Sequence, residues 1–115
     1  MSRNFDMLAF AIHRTSVEKG FYVGELTTYK IITKLALVHS EVTETIEALR
    51  KDRGDPAVVE EMADIIIRVL DLWAALALNH EGDEPESLFP SLETVLLAKI
   101  EKNGHRPALH GHKWG

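Results

Sequence analysis

The chain has 115 residues, 45% of them hydrophobic, enough for one domain that buries about two-thirds of its unfolded surface without covalent staples. It contains no cysteine, which excludes disulfides and thiolate metal sites and fits a reducing, cytoplasmic setting. A formal net charge of -5, from 18 acidic against 13 basic residues, excludes a broad basic surface for nucleic acid, so an anionic ligand needs a metal or a local cationic patch.

No stretch reaches the ~18 to 20 apolar residues of a membrane span, and the N-terminus lacks an apolar signal core; a soluble, untargeted protein is expected. Phe5, Leu8, Ala9, Ile12 and Val17 recur at helical spacing over residues 4 to 19 until Gly20 interrupts, with Ser2 or Asn4 as cap. The stretch GFYVGELTTYK then reads as a loop. Thr27 or Thr28 caps a second helix reaching about Lys51, with Ile31, Leu35, Val38, Val42, Ile46 and Leu49 as its inner stripe.

DRGDP closes that helix, and Asp55 followed by Pro56 starts a third, Asp as cap and Pro at the first helical position. This helix runs to about Asn79. Its Ile65, Ile66, Ile67, Val69, Leu70, Leu72 and Trp73 cover most of the circumference, which predicts a central, multiply packed helix. HEGDEPESLFP is a loop, Ser91 caps a fourth helix to about Lys102, and an irregular tail follows from about residue 103. The expected fold is all-α, one domain over residues 1–115, four helices arranged like a bundle and completed by oligomerisation. A third helix that is apolar nearly all round cannot hide every side in one small unit, so some of Ile66, Leu70, Trp73 and Ala77 should meet another chain.

Against this apolar background stand two acidic pairs, Glu41 with Glu44 and Glu61 with Asp64. Residues three apart are neighbours on a helix face, so each pair can act together, and pairs from antiparallel helices can converge. The plain alternative is a solvated stripe, Glu61, Asp64, Arg68 and Asp71, laced by salt bridges, with Arg68 pairing to Asp64 or Asp71. Two details favour a site. The third helix has little circumference left for water, and Leu37 and Ala48 flank the acidic side of the second. Crowded carboxylates beside apolar surface repel and lose hydration, which a divalent cation relieves. Oxygen ligands without cysteine suit Mg²⁺, with Mn²⁺ as substitute.

KLALVHSEVTETIEALR followed by VVEEMADIIIRVLDL resembles the E-x-x-E and E-x-x-D motifs of the MazG-like all-α nucleotide pyrophosphohydrolases. VEKGFY and KIEKNGHRPALHGHKW are similar to flanking segments of small single-domain members, so the resemblance spans nearly the whole chain. The family pattern often opens with paired glutamates, and here the first of that pair is Ser40. The resemblance implies Mg²⁺-dependent hydrolysis of a nucleoside or deoxynucleoside triphosphate to monophosphate and pyrophosphate. It implies metal and catalytic roles for Glu41, Glu44, Glu61 and Asp64. A carboxylate not engaged by metal, Glu44 for one, could accept the proton of the attacking water.

Triphosphate oxygens also call for fixed polar partners, and Lys34, Lys99, Asn103 and Arg106 are the candidates. His13, Phe21 and Tyr22 could line a base pocket, although aromatics after a first helix often just close a core. His105, His110 and His112 could bind a transition metal but lie in an irregular end. Expected partners are the nucleotide and further copies of the chain, as homodimer or homotetramer, with neither membrane nor stable nucleic-acid binding. Two other classes remain: a non-catalytic helical oligomerisation or interaction module, and a di-iron or di-manganese carboxylate bundle. The latter normally adds Glu-x-x-His motifs, and neither Glu41 nor Glu61 has a histidine three residues on.

Overall fold

A computed structural model describes residues 4–80 and 89–106. They form four α-helices, α1 (Asn4–Glu18), α2 (Thr28–Arg50), α3 (Asp55–Asn79) and α4 (Leu92–Gly104), and no strand is present among the described residues. The all-α class therefore holds. No helix among these residues is long and apolar enough to cross a membrane.

The helix ends show why the chain breaks where it does. After α1, the Gly20 amide donates to the Val17 carbonyl and the Phe21 amide to that of Ser16, with Gly20 at φ 81°. This paired pattern satisfies carbonyls the helix leaves open and needs a left-handed residue, which glycine supplies without strain. Thr27 caps α2 through its hydroxyl, which accepts from the Lys30 amide at 3.2 Å. At the other end of α2 the same pattern recurs, Asp52 to Leu49 and Arg53 to Ala48, with Asp52 itself at φ 52°. Aspartate is one of the few side chains that tolerates that region.

The start of α3 differs from expectation. Its cap is Gly54 at φ 96°, with no side-chain cap bond, and Asp55 lies in the first helical turn. There its charge faces the positive end of the helix dipole instead of accepting a capping bond. Ser91 caps α4 as expected, accepting from Thr94 at 3.2 Å. The fourth helix also runs on through Gly104, so Asn103 belongs to a helix and not to a tail. The loop after His80 and the tail histidines His110 and His112 lie outside the described residues.

α3 is the central element, packed against α2 on one side and α1 on the other, while α4 rests on α1. The four-residue connection after α2 makes α2 and α3 antiparallel neighbours. Ala9, Leu70 and Ala74 are the buried centre, surrounded by Phe5, Phe10, Ile12, Trp73 and Leu92. Trp73 stacks obliquely on Phe10 at 5.1 Å and donates its indole N–H to the Pro90 carbonyl at 3.0 Å.

The contact between α1 and α4 is polar and reciprocal. The Phe5 amide donates to Glu93 Oε1 at 2.8 Å, and the Glu93 amide donates to Asp6 Oδ1 at 2.9 Å. Each carboxylate thus satisfies an open amide at the other helix's N-terminus, where the dipole also favours negative charge.

Three expectations about the interior are corrected. The stripe assigned to the inside of α2 faces outward for the most part: Leu35 is 50% exposed, Ile46 49% and Leu49 63%, and Val42 is also exposed. The face turned to α3 instead carries buried Ala48 with half-buried Leu37, Val38, Glu41 and Thr45. Leu8 and Val17 on α1 are likewise exposed, whereas Asp6, His13 and Ser16 are buried. Finally, Leu70, one of the residues offered to another chain, is 1% exposed and belongs to the protomer's own core.

Candidate metal centre

Glu61 and Asp64, one turn apart on α3, meet Glu41 of α2, and one carboxylate oxygen from each lies within 4.8 Å of the others. The i, i+3 spacing puts the α3 pair on one face, and the antiparallel neighbour delivers Glu41 opposite it. Glu44 stands one turn along α2 from Glu41, exposed and outside this triad. It is close enough to be felt. Glu61 is raised above the ordinary carboxylate value by partial burial first, then by Asp64, Glu44 and Glu41, with Arg53 opposing.

Arg68 binds Glu41, its Nε donating to Oε2 at 2.7 Å. This corrects the expectation of a pair with Asp64 or Asp71 on its own helix: the partner is across the helix interface. Asp71, one turn further along α3, is engaged by α1 instead. Its Oδ1 lies 2.7 Å from His13 Nδ1, and its Oδ2 accepts from the Ser16 hydroxyl at 2.6 Å. Serine and histidine both bind the aspartate and not each other, so this is no nucleophile relay. It is an anchor that satisfies buried polar groups and fixes α1 against α3.

The loop between α1 and α2 closes over this anchor. Tyr22 sets its ring edge-on to His13 at 4.6 Å. Its phenol is pushed up to about 12 by burial and then by Asp71, with Arg68 opposing, so it stays a protonated donor at any physiological pH. Lys34 lies 4.1 Å over the Tyr22 ring and donates to the Phe21 carbonyl at 2.8 Å, while Lys30 donates to the Val23 carbonyl at 2.8 Å. These lysines strap the loop down.

Two adjoining clefts result. One, of about 250 Å³, is lined by Phe21, Tyr22, Lys34, Leu37, Arg68 and Asp71. The other is lined by Ser16, Phe21, Glu41, Asp64, Ile67, Arg68 and Asp71. They share Phe21, Arg68 and Asp71, so the carboxylate cluster opens directly into a recess with aromatic and cationic walls.

Of the residues singled out from sequence, the structure gathers Glu41, Glu61, Asp64, Phe21, Tyr22 and Lys34 around these clefts, with His13 buried behind. Lys99 and Asn103 sit on α4 and Arg106 just past its end, and neither cleft wall includes them. His105 pairs with Glu101 at 3.2 Å on the exposed face of the same helix. Ser16 and the structural roles of Asp6 and Glu93 escaped the sequence reading. The signal was there: Asp6, Ala9, His13 and Ser16 follow one another at steps of three and four, a helical face made of small and polar residues.

Comparison with protein-family models, with curated protein sequences and with solved structures returned no match for this chain.

Proposed function

We propose that the protein is a small MazG-like nucleoside triphosphate pyrophosphohydrolase, cytoplasmic and homo-oligomeric, that uses Mg²⁺, or Mn²⁺ in its place, to release pyrophosphate from a ribo- or deoxyribonucleotide. The observation that carries this reading is the convergence of Glu41, Glu61 and Asp64 beside an aromatic and cationic cleft. A donor set made of carboxylate oxygens fits a hard divalent cation and is a poor match for zinc or iron. Glu61 is raised by partial burial first and then by its carboxylate neighbours, and a bound cation would offset both by favouring its ionised form.

Glu41, Glu61 and Asp64 would hold the cation, with Glu44 one turn along α2 from Glu41. When bound, it supplies charge neutralisation for the phosphates and a more acidic water. The chain's own groups do the rest. Glu44, exposed and outside the triad, accepts the proton of the attacking water. Arg68 borders both the carboxylates and the aromatic recess, where its guanidinium can pair with phosphate oxygens as well as with Glu41. Phe21, largely exposed at the rim, offers a face for a base, and Tyr22 offers a phenolic donor that does not ionise. Lys34 holds the loop that carries both rings.

With the base at Phe21 and the phosphates at the carboxylates, the phosphorus nearest the sugar is the one attacked, and pyrophosphate leaves. The test is a panel of common ribo- and deoxyribonucleoside triphosphates, with Mg²⁺ and with chelator. Products are followed as pyrophosphate and monophosphate. An α,β-bridged non-hydrolysable analogue should bind and stay intact, and a β,γ-bridged one should still give monophosphate. Inorganic phosphate with a diphosphate left behind would overturn the bond assignment. No turnover of any nucleotide would leave the interaction module as the better account.

A further inference from the structure

Arg68 leaves α3 one turn after Asp64 and reaches across to α2, where its Nε donates to Glu41 Oε2 at 2.7 Å. The two ends of this bond differ in exposure, the Glu41 side chain being 15% exposed and that of Arg68 40%. A sheltered carboxylate loses hydration and needs a counter-charge to stay ionised, whereas an arginine that keeps contact with water can leave its partner and remain solvated. Glu41 is the dependent member of the pair. Among the described residues the guanidinium makes this one direct bond, through Nε, so the fork of terminal nitrogens has donors uncommitted.

Two claims meet on this pair. Glu41 is one of the three residues whose carboxylate oxygens come within 4.8 Å of one another, so a divalent cation held there and Arg68 would be rival counter-ions of the same carboxylate. Like charges so close in a partly dehydrated cleft repel strongly. On the other side of Arg68 lies the recess of about 250 Å³ walled by Phe21, Tyr22, Lys34, Leu37 and Asp71. Its lysine is already committed, since Lys34 donates to the Phe21 carbonyl at 2.8 Å. The Tyr22 phenol, raised by burial and then by Asp71, is lowered by Arg68, so the arginine's charge already reaches the recess wall.

We infer, on the reading of Glu41, Glu61 and Asp64 as a cation site, that Arg68 exchanges partners: it serves Glu41 as counter-ion, yields that carboxylate to a divalent cation, and turns its guanidinium to a phosphate oxygen at the Tyr22 recess. The consequence is an order of binding. Arg68 opposes the cation while no anion is present and helps the anion only once the cation has taken Glu41, so metal enters first and nucleotide second. An arginine that instead kept its bond and steadied Glu41 for the metal would act with the opposite sign, strengthening metal binding.

The sign is read by calorimetric titration of the full chain with MgCl₂ alone. Arg68→Gln, which removes the rival charge, should bind Mg²⁺ about threefold or more tighter than wild type. An α,β-bridged nucleoside triphosphate analogue then reads the second half of the exchange. With Mg²⁺ present, Arg68→Gln should lose about tenfold or more in affinity for it, and in chelator wild type and variant should bind it alike. The side chain can also be watched directly. The Arg68 Nε–H resonance, assigned by its loss in Arg68→Gln, should move toward that of a solvated arginine on adding Mg²⁺ and move again on adding the analogue. Should Arg68→Gln lose its helical circular dichroism, this resonance, assigned through Arg68→Lys, carries the test in the wild-type protein. Mg²⁺ that binds Arg68→Gln no tighter than wild type, an analogue affinity that falls equally with and without Mg²⁺, or an Nε–H resonance that bound Mg²⁺ leaves in place overturns the exchange while the metal centre stands. Mg²⁺ that binds neither protein overturns the centre itself, and the exchange with it.

Discussion

The front and back flanks of the α2–α3 pair are built from the same two helices and treat water in opposite ways. On the front, Glu41, Arg68 and Asp71 are held half-buried by specific partners, with Glu61 beside them. On the back, Leu35, Ile46, Leu49 and Ile66 are about as exposed as the front charges are sheltered. Each flank has a physical use for a further partner. Half-buried charges gain from a cation and an anionic ligand, and exposed aliphatic rows gain from a matching surface. The helix pair thus separates a charged, partly sheltered flank from an exposed aliphatic one.

Charge removal on the front should separate the two roles most sharply. Glu41→Gln, Glu61→Gln and Asp64→Asn should each lower turnover about a hundredfold or more, roughly 2.7 kcal/mol in the barrier. Helical content should be unchanged, and metal-free Glu61→Gln and Asp64→Asn should melt no lower than wild type, because repulsion is relieved, whereas Glu41→Gln also weakens the bond to Arg68 and should melt lower. Glu44→Gln should lose activity too, with Mg²⁺ binding less affected than in the triad variants. Full activity in all four would remove the site while leaving the back face untouched.

The anchors that keep α1 on the front come next. Asp71→Asn keeps the shape but strips the charge from two short bonds, to His13 and Ser16, and turns an NH₂ toward one of those groups. A loss of about 2 kcal/mol is expected, read as a lower urea midpoint with unchanged slope. Asp6→Ala deletes the cap that α1 lends to α4 and strands the Glu93 amide, at about 1 kcal/mol. Its mark is early exchange of the α4 amides. Protection of α4 equal to wild type would show that Leu92 packing alone holds that helix.

How far these features could be read from sequence depended on whether their cause was local. Helix ends were legible because Gly20, Thr27, Ser91 and the DRGDP stretch act on their own backbone, and even there Gly54 displaced Asp55 as the cap. The acidic triad was legible because i, i+3 spacing is a helical property, as was Glu41 opposite it once the helices were taken as antiparallel. The direction of the α2 stripe was not. Periodicity shows that Leu35, Val42 and Ile46 share a face, but whether that face meets α3 or a second chain depends on which face α3 takes. The buried face of α1 was obscured for a different reason: Asp6, His13 and Ser16 look solvent-seeking until their partners Glu93 and Asp71 arrive from distant parts of the chain.

The smallest effect expected is a pH dependence that belongs to the front alone. Glu61 is raised from the ordinary value of 4.5, by partial burial first and then by Asp64, Glu44 and Glu41, against Arg53. The folded state therefore holds that proton more tightly than the unfolded chain does. Stability linked to it is fully present below the ordinary value and is lost as pH rises through the raised one. In chelator, the melting temperature should fall as pH rises across that window, and Glu61→Gln, which cannot titrate, should flatten the slope. Mg²⁺ reverses the sign, because it binds the ionised carboxylates and competes with the same proton. Its stabilisation should grow with pH over the range in which the metal-free protein weakens, and the two melting curves should diverge. Parallel slopes for wild type and Glu61→Gln in chelator would mean that the carboxylates are too well solvated to sense one another, and the crowding that favours a cation at this flank would lose its support.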